Sequence, residues 1–189
     1  LLLVESGGTD GSVLVDMIID RETNVTAIAL EKTTGHTVWT ALNDKMAYSS
    51  PIAFTTASVR QAIFFNAYAL VSLAPATCWS VRAGCSHCYW RYPWKTSWDV
   101  SAATPIHIPP DKIFISAGNK SAIVQTSLQK DGVEVATVWK NSVMKNHFST
   151  SIYYQGFLYG FDNSILKCID AKTGLEQWKT RGYGKGSLI

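Results

Sequence analysis

Long apolar runs are missing from this chain. No stretch approaches the roughly 18 to 20 consecutive apolar residues that a membrane-spanning helix needs, so no transmembrane segment is expected. Charge is also scarce, at 16% of 189 residues, and nearly balanced, with 17 Lys and Arg against 14 Asp and Glu. No basic run is long enough to track a phosphate backbone, which argues against nucleic acid as a partner. The chain has no Gly-x-Ser-x-Gly elbow, no phosphate loop, no His-x-x-x-His pair and no two adjacent cysteines. Its carboxylates, Asp99 and Asp162 among them, lack partners at a readable spacing, so paired acid-base chemistry has no footing and no catalytic residue is assigned. A long amphipathic helical period is missing too.

Short apolar runs rich in aromatic and β-branched residues are what the chain does have, with 47% hydrophobic and 12% aromatic residues. They read as strands. One module recurs: Cys168-Ile169-Asp170-Ala171-Lys172-Thr173-Gly174-Leu175-Glu176-Gln177-Trp178 matches Ala29-Leu30-Glu31-Lys32-Thr33-Thr34-Gly35-His36-Thr37-Val38-Trp39 in its acid, its Thr-Gly and its Trp. The acid and threonine bond nearby backbone and the glycine supplies positive φ, so the module predicts a strand, a tight reversal and a second strand carrying the Trp. Weaker copies place Trp90 and Trp139 between these two, and the four markers stand 51, 49 and 39 residues apart. After each comes a small-small-(Pro or Ser)-aliphatic start: Ser49-Ser50-Pro51-Ile52, Ala103-Thr104-Pro105-Ile106, Ser149-Thr150-Ser151-Ile152 and Lys185-Gly186-Ser187-Leu188. Such periods predict an all-β partial β-propeller of about four blades, each a four-stranded antiparallel sheet. The blades fall near residues 1–41, 42–92, 93–141 and 142–180, and 181–189 begins a further one. Both ends cut through the repeat, so the chain reads as a fragment with open sheet edges.

The module resembles the tryptophan-docking motif of the PQQ-like repeat, the blade of quinoprotein-type propellers, and the likeness covers nearly the whole chain. It implies that Trp39, Trp90, Trp139 and Trp178 pack between blades, with Gly35 and Gly174 in the facing turns. It also implies a periplasmic or secreted location. Many members of that family bind no quinone and serve as scaffolds, as does the propeller lipoprotein of the outer-membrane barrel assembly machinery. Others are dehydrogenases that hold pyrroloquinoline quinone with calcium, but their calcium ligand set maps onto no residues of this chain. The expectation is therefore a non-catalytic extracytoplasmic binding or assembly scaffold with no cofactor; the alternative is part of a quinone-dependent dehydrogenase.

Three of the four cysteines, Cys78, Cys85 and Cys88, gather with His87 in an insertion ahead of Trp90. A solvated loop with loose thiols, a reading-frame artefact, a disulfide and a metal site all stay open; a lone Cys-x-x-Cys with one further Cys does not make a tetrahedral site, and no metal is assigned. Cys168 reads as a buried structural thiol. The Trp98-Asp99 dipeptide occurs once, off the repeat phase, and reads as coincidence. Loops from an outer strand to the next inner strand share one face of a propeller, which gathers Tyr48, Lys95, Asp99, Asn146, His147 and Lys185, with Asp44 and Lys45, on an axial rim. That rim suits a protein or small polar ligand, and the same residues also suit ordinary solvated loops.

Overall fold

The computed structural model describes residues 2–5, 25–56, 58–75 and 88–189. Cys78, Cys85 and His87 lie outside them, so the proposed cysteine cluster does too. Cys88 opens a strand, with its Sγ 3.4 Å from the Trp90 carbonyl.

Four antiparallel sheets follow one another along the chain. The first contains β1 (Leu2–Glu5), β2 (Ala27–Leu30) and β3 (Thr37–Ala41). The second contains β4 (Ile52–Thr56), β5 (Val59–Phe65), β6 (Ala69–Leu73) and β7 (Cys88–Pro93). The third contains β8 (Ile106–Ile108), β9 (Lys112–Ala117), β10 (Lys120–Gln129) and β11 (Gly132–Asn141). The fourth contains β12 (Ile152–Tyr154), β13 (Phe157–Asp162), β14 (Ile165–Asp170) and β15 (Glu176–Thr180). Strands pair in chain order, and the sheets are the blades of a partial β-propeller. Among the described residues no helix is long and apolar enough to cross a membrane.

Both faces of the middle sheets are buried, so their strands are apolar throughout. In β5 the alternation of side chains divides them between two interfaces. Ala62 and Phe64 join Ala27, Ala29 and Trp39 of the first blade, whereas Ile63 and Phe65 join Ile113, Ile115 and Val124 of the third. A third cluster sets Phe114, Ile123 and Met144 against Leu158 and Ile169 of the fourth.

The marker tryptophans share one local geometry. Trp39, Trp90, Trp139 and Trp178 stand opposite Ala29, Ser72, Ile123 and Cys168, and the register slips at the next pair in all four sheets. The residue before each Trp is therefore the extra residue of a β-bulge, which bends the outer strand. Beyond the bulge, Trp39 Nε1 donates to the carbonyl of Pro75 at 2.9 Å, and Trp139 Nε1 donates to the carbonyl of Ala171 at 2.8 Å. Pro75 and Ala171 hold the same place in their repeats, three residues after the one that faces the Trp. Asn141 adds a bond from Nδ2 to the Gly174 carbonyl at 2.8 Å.

Trp90 differs. In the third blade β10 and β11 run on to a tight reversal at Lys130 and Asp131, so Thr126, which matches Pro75 and Ala171, lies inside the ladder opposite Val135; the Trp90 indole donates instead within its own sheet, to Gln61 Oε1 at 2.9 Å. Trp178 lies on the outer strand of the fourth blade, 45% exposed, with its ring 6.1 Å from that of Tyr159 in the same sheet.

The two full turns superimpose in chemistry. Gly174 N donates to the Asp170 carbonyl and Gly35 N to the Glu31 carbonyl, each at 2.8 Å, and both glycines have φ of 74°. Asp170 Oδ1 accepts from the backbone of Thr173 and of Lys172 at 2.8 Å each and from the Thr173 hydroxyl at 3.0 Å. Those bonds, the Thr173 backbone N–H first among them, hold the Asp170 carboxyl below the usual carboxylate range. A carboxyl depressed in the folded state contributes stability above its unfolded value of about 3.9 and loses it as pH falls through the folded value. Asp170→Asn is therefore expected to be less stable than the parent at pH 7, by about 1 kcal/mol or less because the turn is exposed. Thermal melts should show that gap closing below about pH 4.

Candidate functional site

Three connections from an outer strand to the next inner strand reach the same end of the molecule, together with the β9–β10 hairpin. The Thr-Gly turns occupy the opposite end, because successive antiparallel strands alternate in direction. Each connection is fastened before it presents side chains. In the first, residues 42–51, Asp44 takes a bidentate grip from Arg91 at 2.5 and 2.8 Å and a bond from Asn66 Nδ2 at 2.9 Å. The Thr26 hydroxyl donates to the Asp44 carbonyl, and Ala67 N to the Lys45 carbonyl at 3.1 Å. In the second, Thr96 Oγ1 accepts from Val100 N at 2.9 Å, closing a tight loop with Trp98 at its tip. In the third, the Asn146 amide is spent between the Phe161 carbonyl at 3.3 Å and the Ser151 hydroxyl at 2.9 Å.

The inner-strand starts are also laced together. Ser50 N donates to the Thr104 hydroxyl at 3.3 Å, and Thr104 N donates to the Thr150 hydroxyl at 3.0 Å. These three residues hold the same position in their repeats, so one kind of bond hands each blade to the next.

Between the connections lies a groove of about 530 Å³ lined by Tyr48, Thr96, Trp98, Asn119, His147 and Phe148 among others. Tyr48, Trp98 and Phe148 are 68%, 86% and 65% exposed, and the His147 and Phe148 rings lie 4.0 Å apart. Of the expected rim residues, Tyr48 and His147 line this groove, and Lys185 lines a neighbouring one. Asp99 pairs with Lys45 at 3.8 Å, and Lys95 lies 5.8 Å over the Tyr68 ring. Asn146, expected on the rim, is instead buried at 1% exposure, because its amide is consumed between the Phe161 carbonyl of β13 and the Ser151 hydroxyl.

Trp98 and Phe148 were not anticipated. Tyr48 and Phe148 come nine residues after Trp39 and Trp139, and Trp98 comes eight after Trp90. That recurrence was a usable signal. Trp98-Asp99, which reads in sequence as an accident, is thus the tip of a groove wall.

The structure of BamB from Moraxella catarrhalis is similar to this chain, with a TM-score of 0.53 and 17% identity over 86% of this chain and 51% of that one. The likeness is one of fold. This chain spans about half the length of that structure. No protein-family model and none of the curated proteins matches the chain.

Three described carboxylates near the grooved end of this partial propeller are engaged by cations. Asp44 faces Arg91, Asp99 faces Lys45, and Asp162 faces Lys167 at 2.7 Å. Among the described residues no three His, Cys, Asp or Glu gather in a group that would hold a metal ion.

Proposed function

We propose that the chain is part of a PQQ-like propeller that acts as a non-catalytic, extracytoplasmic binding or assembly scaffold, periplasmic or secreted, and takes a protein or small polar ligand on its grooved face. One observation carries the reading: three exposed aromatic side chains, from three successive blade connections, converge on one groove. Large aromatics held out on fastened loops form a recognition surface, since they supply contact area at little conformational cost. The PQQ-like assignment is supported by the turn-and-tryptophan joints of the first and third blades, with their indole-to-carbonyl bonds.

The test uses the full-length protein supplied with pyrroloquinoline quinone and Ca²⁺. Calorimetry is expected to show no saturable binding, and a dye-linked alcohol oxidation assay no turnover. A photo-crosslinker at Tyr48 should give a defined adduct in cells, and one at Lys172, at the other end of the sheets, should not. Stoichiometric quinone binding with turnover would sink the scaffold reading.

A further inference from the structure

Two grooves on this face share a wall. The first, of about 530 Å³, is lined by Tyr48, Trp98 and Phe148, and the second, of about 320 Å³, by Phe161, Asn163 and Lys185. His147 and Phe148 bound both.

Their chemistry differs. The first is walled by aromatic rings and, among the described residues, has no Lys, Arg, Asp or Glu in its lining; in the second, Lys185 is the one such described residue. The carboxylates nearby already face cations, in the pairs of Asp44 with Arg91, Asp99 with Lys45 and Asp162 with Lys167. A ligand complementary to both grooves must therefore bring an apolar ring to one and a negative charge to the other. An extended peptide does this with alternate side chains, which leave the backbone on the same side about 6.6 Å apart. A neutral glycan would stack on the rings but offer Lys185 no charge.

The geometry points to an extended segment of a partner protein as the ligand of this face, with an aromatic side chain in the first groove and a carboxylate side chain at Lys185. This inference rests on the scaffold reading above and names the chemistry of its partner. The ring supplies most of the affinity, and the Lys185 contact sets register and excludes basic segments.

The probe is the blocked pentapeptide Ser-Phe-Ser-Glu-Ser, titrated into the full-length protein and followed by calorimetry. Saturable binding is expected, weakened about tenfold or more by Trp98→Ala. At 86% exposure Trp98 supports little packing, so an unchanged melting curve should accompany that loss. Lys185→Glu is expected to weaken binding about fivefold and to shift preference toward Ser-Phe-Ser-Lys-Ser. The inference is overturned by no saturable binding, by equal binding of the acidic and basic peptides to the unaltered protein, or by binding of a neutral oligosaccharide in place of peptide. The quinone titration reads the scaffold question separately, so failure of the one does not masquerade as failure of the other.

Discussion

Phe65→Ala is expected to cost about 3–5 kcal/mol of unfolding free energy, and Phe64→Ala a similar amount, each read as a lowered midpoint in urea unfolding. Both rings are fully buried, yet they share no interface. Phe65 packs toward the third blade, its ring 6.1 Å from that of Trp94 at 68°, while Phe64 packs toward the first. Truncating either leaves a cavity that the sheets cannot close, because each is held on its other face by a different neighbour. A cost near zero for one of them would mean that its side of the sheet is not packed against a blade.

Gly174→Val should cost about 3 kcal/mol, and Gly35→Val roughly half of that. Both glycines sit at φ of 74°, where a branched residue pays about 1–2 kcal/mol. They differ in what surrounds them. A Cβ on Gly174 would lie 2.7 Å from Trp139 Cδ2 and from Asn141 Nδ2, whereas one on Gly35 would meet nothing within 4 Å among the described residues. The overpacking penalty of about 1–3 kcal/mol therefore falls on Gly174 alone. Subtracting one variant from the other isolates the contact between the third and fourth blades. If both variants lose the same stability, the indole and the turn are not in working contact.

The fold was legible because its determinants are local. Asp170, Thr173 and Gly174 bond one another or their own backbone within five residues, so the reversal is written where it occurs. The alternation of β5 likewise declares two buried faces. The site was legible only in part, because exposure is decided by residues remote in sequence. Asn146 reads as a polar loop residue until the carbonyl of Phe161 and the hydroxyl of Ser151 are brought to it. Trp98-Asp99 reads in sequence as an accident; that the Trp98 ring shares a groove with Tyr48 and Phe148 depends on three connections from three different blades. For Trp90 the sequence shows a displaced copy of a motif; that Gln61 accepts its indole N–H depends on register between β5, β6 and β7.

The indole bond joins the outer strand of one sheet to a carbonyl in the following one, from Trp39 to Pro75 and from Trp139 to Ala171. Each half of the joint is thus encoded in a different copy of the repeat. A tandem duplication keeps the joint only where the copied period supplies an indole that is not, like that of Trp90, already bonded within its own sheet. The fourth blade carries both halves, the Ala171 acceptor and the Trp178 indole, so a copy of it placed directly after itself would meet its parent through the same bond.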